Sequence, residues 1–125
     1  MKDLPVHATI PASDLDRARR FYSEKLGLEP ASEVPRGLFY ECGEGTRFLL
    51  YPTKFAGTAR HTLLGIGTKD IKETVSALQD KDVVFEEYDF PGLKTVDGVG
   101  TVEGWKGAWF KDSEGNLIAI AEETT

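Results

Sequence analysis

The feature that most constrains the fold is an order of predicted elements that occurs twice. The first half carries a strand, a helix and three further strands, at residues 6–10, 14–26, 31–34, 38–42 and 46–51. Pro11 and Pro52, which lack a backbone N–H, are expected to end the first and the last of these strands. A linker at residues 55–60 separates this unit from the rest of the chain.

The second half repeats the pattern with a longer connection. Its strands are predicted at residues 61–66, 83–88, 108–111 and 117–121. Its helix begins after Asp70, and residues 89–105 are predicted to be irregular. The repeat predicts an α+β fold in a single domain over residues 1–125, with βαβββ modules at about 1–54 and 60–125. Two such modules pair their mixed sheets into a concave, partly open cleft, which is a natural ligand site.

Local signals mark the ends of the two helices. Ser13, with Asp16 three residues later, is predicted to be the N-cap of the first helix, and Gly27 occupies the C′ position. Asp70, with Glu73 three residues later, is predicted to cap the second helix. The two helix starts are therefore similar, as expected of a repeat.

Charge and cysteine content limit the partners. The 125 residues carry a net charge of −6, whereas nucleic acid or an anionic membrane would need a face rich in Lys and Arg. Cys42 is the one cysteine, so no disulfide framework is expected, and its position within a predicted strand favours a structural role. No apolar run approaches a membrane span and no signal segment is recognised, so a cytoplasmic location is expected.

Two segments carry a resemblance to a known family. Residues 7–28, HATIPASDLDRARRFYSEKLGL, place a strand histidine seven residues before Asp-Leu, with Phe-Tyr and Leu-Gly following. Residues 109–116, WFKDSEGN, resemble the turn Phe-x-Asp-Pro-Asp-Gly-Asn, with Ser113 and Glu114 in place of Pro-Asp. Together they resemble the vicinal oxygen chelate superfamily, the glyoxalase/bleomycin resistance protein/extradiol dioxygenase group. The resemblance implies the two-module fold, a cleft between the modules and a homodimer.

Metal enzymes of this superfamily place four ligands in that cleft, on the first, fourth, fifth and eighth strands. His7 is in register with the first position, but the other three fall on Leu49, Leu63 and Ala119. The candidate metal ligands that remain are His7, His61 and Glu41. The resemblance thus implies no cofactor for this chain, with a divalent metal ion as the alternative.

A cleft without that ligand set is predicted to bind a small molecule through apolar and aromatic contacts. The candidate binding residues are Arg47, Leu49, Tyr51, Leu63, Trp109 and Ala119. Such a lining suits stacking on a planar ligand, with Arg47 pairing an anionic oxygen. Taken singly, Leu49, Tyr51 and Trp109 are better explained as core packing. The set points to a ligand site because the superfamily's cleft lies there.

The sequence therefore favours a small-molecule-binding protein of the glyoxalase/bleomycin-resistance type with an incomplete metal site. One alternative is a metal-dependent lyase, isomerase or dioxygenase that uses His7 and His61. A third interpretation is a module of a larger assembly with a vestigial cleft. Residues 89–105, which include Phe90 and Trp105, are predicted to be either a lid over the pocket or a loop that contacts a dimer partner.

Overall fold

The computed structural model describes residues 1–123, which form an α+β fold of two βαβββ-like modules. The first module consists of β1 (Ala8–Ala12), α1 (Leu15–Leu26), β2 (Ser32–Val34), β3 (Gly37–Glu41) and β4 (Arg47–Pro52). Its sheet has the order β1-β4-β3-β2, and β1 and β4 are parallel. The parallel pair is possible because α1 makes the crossover that connects the strands.

The second module consists of β5 (Thr62–Gly67), α2 (Ile71–Gln79), β6 (Asp89–Phe90), β7 (Leu93–Val96), β8 (Val99–Val102), β9 (Trp105–Lys111) and β10 (Leu117–Glu123). Its sheet has the order β5-β10-β9-β8-β7-β6, with β5 and β10 parallel. Strands β1 and β5 are neighbours where the two modules meet. Within residues 1–123, no helix is long and apolar enough to cross a membrane.

The helix caps confirm two of the three predicted cap positions. Asp70 accepts a hydrogen bond from the N–H of Glu73 (3.1 Å), and Gly27 ends α1 in the left-handed region with φ of 68°. The prediction for the start of α1 is wrong, because the N-cap is Asp14. The hydroxyl of Ser13 instead donates to Glu114 (3.1 Å), a residue of the other module.

The first strand lies two residues later than predicted. β1 begins at Ala8, so His7 precedes it, and it continues through Pro11 to Ala12. Proline is accommodated because β1 is the edge strand of its sheet, where one side of the strand has no ladder partner. Cys42 also differs from the prediction, since it is exposed and lies just beyond the end of β3.

The predicted strand at residues 83–88 is not formed. One bridge between Phe85 and Phe110 and a hydrogen bond from the N–H of Glu86 to the carbonyl of Trp109 (2.8 Å) hold this segment beside β9. The rest of that edge of β9 pairs with β8 instead. The second strand expected of the second module is therefore replaced by a bridged segment and an added meander.

That meander occupies most of the segment predicted to be irregular, residues 89–105. Asp97 and Gly98 have φ of 52° and 83°, as a tight hairpin turn between β7 and β8 requires. The carboxylate of Glu87 accepts hydrogen bonds from the N–H of Gly98 and from the hydroxyl of Thr95 (2.9 Å). Gly98 thus marks the turn of a hairpin, whereas Gly100 lies within β8.

The core lies between the sheets and the helices. Alternate side chains of each strand face the helices. The fully buried large side chains include Ile10, Tyr22, Tyr40, Leu50, Phe110, Ile118 and Ile120. α2 contributes the stripe that its periodicity predicts, Ile71, Val75 and Leu78, all of which are buried. The opposite face of both sheets is left for other contacts.

A polar turn at residues 112–116 connects the second module to the first. Its Asp112 accepts hydrogen bonds from the hydroxyl of Tyr22 on α1 (2.7 Å) and from the N–H groups of Glu114 and Asn116 (2.9 Å each). Asn116 donates from Nδ2 to the carbonyl of Pro11 on β1 (2.7 Å). The motif that resembles the superfamily's turn therefore fixes the β9–β10 hairpin against β1 and α1.

Glu114 is enclosed beside the N-terminus of α1. Its carboxylate accepts hydrogen bonds from the N–H of Asp14 (2.8 Å) and from Nε (2.8 Å) and Nη2 (3.0 Å) of Arg17. Burial by itself would raise the pKa of Glu114, but the hydrogen bonds from Arg17, Asp14, Ser113 and Ser13 lower it to about 2. The charge of this carboxylate is therefore part of the contact between the modules.

Candidate functional site

The candidate site is the face of the two sheets that is turned away from the helices. Phe48 and Leu50 of β4 belong to the core, so strand alternation places Arg47, Leu49 and Tyr51 on this opposite face. Three of the predicted binding residues therefore share one surface of the first module.

Phe39, on β3, organises this surface of the first module. It pairs across the ladder with Leu49, and the guanidinium of Arg47 lies 4.4 Å from its ring centroid. The ring of His7 approaches it edge-on, with the centroids 5.0 Å apart. Among the side chains of residues 1–122, Arg47 forms no salt bridge, although Glu41 lies opposite it in the β3–β4 ladder. The guanidinium is thus held against an aromatic face without an ion-pair partner among these side chains.

Leu49 is buried more deeply than the prediction requires. Only 2% of Leu49 and 8% of its neighbour Phe39 are exposed. Leu49 therefore packs beneath the neighbouring side chains, and almost none of its surface is accessible to a ligand. Tyr51, which pairs with Pro11 of β1, is half-buried and remains accessible on the same face.

The second module contributes an aromatic cluster to the same side of its sheet. Both tryptophans of the chain are on β9, with ring centroids 6.0 Å apart, and Tyr88 contacts Trp109 at 5.5 Å. All three side chains are half-buried. The cluster thus combines a large aromatic surface with partial access to solvent, the arrangement that suits stacking on a planar molecule.

Gly107 makes this arrangement of the two indoles possible. It lies between Trp105 and Trp109 on the same side of β9, and both indoles fold over it. A Cβ at this position would meet the ring of Trp105 and lie 2.8 Å from Cη2 of Trp109. Because Gly107 has no side chain, there is room for the two indoles to pack over it and against each other.

Replacing Gly107 by alanine is expected to displace the two indoles, because the added Cβ would overlap both rings. The backbone should stay in place, since overpacking by one methyl group costs only about 1–3 kcal/mol. Near-ultraviolet circular dichroism and tryptophan emission should change. The matched control is Gly65→Ala on β5, where an added Cβ meets nothing within 4 Å. Equal spectra for both variants and the parent protein would contradict this role of Gly107.

Tyr88 adds a hydroxyl to the cluster. Burial raises the pKa of this phenol, and the nearby carboxylate of Glu86 raises it further. The hydroxyl therefore keeps its proton at neutral pH and can donate a hydrogen bond to a ligand that stacks on Trp109.

The remaining predicted binding residues lie in the second sheet. Ala119 of β10 pairs with Trp109 on one side and with Gly65 on the other. Leu63 lies two residues before Gly65 on β5, and both Leu63 and Ala119 are half-buried. Ala119 therefore places only a methyl group beside Trp109 in the ladder.

The predicted metal ligands do not form a metal site. His7, Glu41 and His61 are all exposed, and no group of three His, Cys, Asp or Glu side chains among residues 1–122 is placed to hold an ion. The superfamily's other three ligand positions are predicted to fall on Leu49, Leu63 and Ala119, whose side chains carry no donor atoms. The residues present therefore do not fit the metal that the superfamily's enzymes use.

Phe39 and Tyr88 of this surface are absent from the sequence-based prediction, which includes Trp105 only as part of a possible lid over the pocket. Phe39 and Glu41 are two residues apart on β3, so strand alternation places their side chains on the same face. The reasoning that made Glu41 a candidate could therefore have indicated Phe39 as well. Trp105 was assigned to a loop, although the spacing Trp-x-Gly-x-Trp places both indoles on one face once residues 105–111 are a strand. No local signal indicated that Tyr88 would contact Trp109.

The match to a family model covers most of the chain. The model described as the glyoxalase/bleomycin resistance protein/dioxygenase superfamily matches residues 5–120. The chain belongs to this superfamily. Among curated proteins, it is similar to YurT of Bacillus subtilis strain 168, which is described as uncharacterized. The two sequences are 29% identical over an alignment of 136 positions, gaps included, which covers 94% of this chain and 98% of YurT.

Solved structures of proteins with different described roles share the fold. TnmS3, described as an antibiotic-binding protein from Streptomyces sp. CB03234, has a TM-score of 0.62 and 22% identity, covering 96% of this chain and 98% of its own. A lactoylglutathione lyase from Agrobacterium tumefaciens has a TM-score of 0.67 and 20% identity, covering 95% and 92%. Since one fold hosts both a binding protein and a lyase, these similarities establish the fold alone.

Proposed function

We propose that this protein binds a planar, anionic small molecule on the face of the sheets turned away from the helices. The observation that carries the proposal is the pair of half-buried indoles, Trp105 and Trp109, folded over Gly107. Two indoles in this arrangement offer aromatic surface that stacks on a flat ring system. Arg47, whose guanidinium stacks on Phe39, supplies the positive charge.

The lining of the site supports binding over metal-dependent catalysis. Leu49, Leu63 and Ala119, at the predicted positions of three metal ligands, provide apolar surface or support. TnmS3, which has the same fold, is described as an antibiotic-binding protein. The metal-dependent lyase, isomerase or dioxygenase has no comparable observation in its favour among the described residues. The homodimer that the resemblance implies remains a prediction.

The proposal is tested by fluorescence titration with anthraquinone-2-carboxylate, a planar anion that quenches indole emission. Because both tryptophans belong to the site, saturable quenching of the parent protein is expected. Trp109→Leu should weaken binding about tenfold or more, since the main stacking partner is lost. Arg47→Met should weaken binding of the carboxylate about tenfold, because a charge-assisted contact is lost.

Two controls isolate the charge of Arg47. The uncharged anthraquinone-2-carboxamide should bind Arg47→Met as well as it binds the parent protein. Arg20→Met changes the net charge equally at an exposed position of α1, remote from this face, and should leave the affinity unchanged. Quenching that does not saturate, or an equal loss in Arg20→Met and Arg47→Met, would contradict the proposal.

A further inference from the structure

One large apolar side chain beside the aromatic cluster of the second module is exposed to solvent. Phe90 of β6 is 53% exposed, and its ring contacts that of Tyr88, with the centroids 5.9 Å apart. Tyr88 in turn contacts Trp109. Four rings therefore form a continuous line of contacts, which we call the aromatic row: Trp105, Trp109, Tyr88 and Phe90.

The strand registers place Phe90 on the same face of the sheet as the two indoles. Gly107, on the indole side of β9, pairs with Gly100 of β8, and Gly100 pairs with Thr95 of β7. Residues that pair across a ladder share a face, as do residues two apart on one strand. Leu93 therefore shares this face with Thr95, and Phe90 shares it with Leu93, its partner in the β6–β7 ladder. Phe90 thus extends the face that carries the candidate site.

The aromatic row runs outward across the second sheet. This sheet has the order β5-β10-β9-β8-β7-β6, and β5 neighbours β1 of the first module. Both indoles are on β9, whereas Phe90 is on β6 at the outer edge. Arg47 is on β4, in the first module. In strand order, Trp109 therefore lies between Arg47 and Phe90, so a ligand that pairs with Arg47 and stacks on Trp109 directs its far end toward the outer edge.

The rings of the aromatic row are tilted against their neighbours. The planes of Trp105 and Trp109 differ by 72°. Tyr88 is tilted by 74° against Trp109 and by 61° against Phe90. A flat ring system can therefore stack on one ring of the row, but not on two neighbouring rings. A ligand that stacks on Trp109 follows the row outward only if it carries a second group on a rotatable bond.

We propose that the ligand of this face has two parts: a flat anionic ring system and an aromatic substituent, joined by a rotatable bond at the end away from the anionic group. The substituent packs on Phe90, because exposed apolar surface that continues a binding face is typical of a ligand contact. Phe90 is then a residue that determines specificity. The inference rests on the function proposed above, which assigns the first part of the ligand to Trp109 and Arg47.

Two matched probes test the substituent. The compound 6-benzyloxy-anthraquinone-2-carboxylate carries an aryl group at the end opposite the carboxylate, and its 6-methoxy analogue lacks that group. Fluorescence titration of the parent protein should give a dissociation constant about threefold to tenfold lower for the benzyl ether, since an aromatic contact is gained. Phe90→Ala should lose this preference and should bind the methoxy compound like the parent protein.

The matched control is Phe55→Ala, in the segment between β4 and β5. Phe55 is 64% exposed and lies beside Lys54, so the variant removes a comparably exposed ring and should keep the preference for the benzyl ether. Saturable binding of anthraquinone-2-carboxylate combined with equal binding of the two ethers by the parent protein would overturn this inference alone. The same preference in Phe90→Ala as in the parent protein would do so too.

Two further outcomes would count against the assignment of Phe90. If none of the three anthraquinones gave saturable quenching, both this inference and the proposed function would be overturned. If Phe90→Ala had a lower oligomeric state than the parent protein in analytical ultracentrifugation, the inference would be overturned by itself, since a second copy of the chain would then cover the ring.

Discussion

Replacing Asp112 by alanine is expected to lower the free energy of unfolding by about 3–5 kcal/mol. Asp112 accepts hydrogen bonds from the buried hydroxyl of Tyr22 and from two backbone N–H groups of its own turn. Truncation leaves these donors buried without an acceptor, and each unsatisfied group costs about 1–3 kcal/mol. Urea denaturation at neutral pH measures the loss.

Two further variants show where that free energy resides. Tyr22→Phe removes only the donor on α1 and should cost about 1 kcal/mol, because Asp112 keeps its other partners. Asp3→Ala removes an exposed carboxylate with the same change in charge and should cost less than about 0.5 kcal/mol. If Asp112→Ala were no more destabilising than Asp3→Ala, the turn would not hold the two modules together.

The fold was predictable because its main signals are local. The strands and helices of the repeat are each predicted from the pattern of neighbouring residues. The helix ends are marked in the same local way, by the αL glycine Gly27 and by the pair Asp70 and Glu73. The wrong N-cap shows the limit of such signals. Ser13 and Asp14 are both good N-cap residues, and the choice between them depends on Glu114, 101 residues away from Ser13 in the chain.

The added meander shows a different limit. Its four glycines, at 92, 98, 100 and 104, suggested an irregular segment. Gly98 makes the tight turn with Asp97, while Gly100 is in a strand, where a Cβ would lie 2.7 Å from Cδ1 of Leu93. The sequence does not distinguish a glycine required by close packing from a glycine required by a turn. The difference is seen only when the partner strand is in place.

The candidate site was predictable only where strand alternation applies. Alternation places Arg47, Leu49 and Tyr51 on one face, but it cannot indicate that Leu49 would be covered while Arg47 stacks on Phe39. The indole pair depends on the register of β9, which the prediction began three residues too late. Side-chain parity is a local property, whereas burial depends on the packing of several strands.

The pH dependence of stability is expected to depend strongly on Glu114. Its pKa is about 2 in the folded protein and near 4.5 in the unfolded chain. A carboxylate with a depressed folded pKa contributes stability above the unfolded pKa and loses it as the pH falls toward the folded one. The difference corresponds to about 3 kcal/mol, present at pH 5 and above and lost between about pH 4.5 and 2.

Glu114→Gln should remove this contribution. The variant is expected to be less stable than the parent protein by about 3 kcal/mol at pH 7, with the two curves converging near pH 2. Urea denaturation at a series of pH values measures both curves. Glu103→Gln, at an exposed position, is the matched control and should follow the parent protein throughout. Curves for Glu114→Gln and the parent protein that run parallel down to pH 2 would contradict the assignment.

Arg17→Met tests the cause of the depressed pKa. The carboxylate of Glu114 is fully enclosed, so burial acts against its ionisation once the guanidinium is removed. The pKa of Glu114 should then rise, and the acid-induced loss of stability should begin at a higher pH than in the parent protein. Arg17→Met and Glu114→Gln should also be strongly non-additive, because each breaks the same ion pair. Additive effects at neutral pH would mean that Arg17 and Glu114 stabilise the contact between the modules independently.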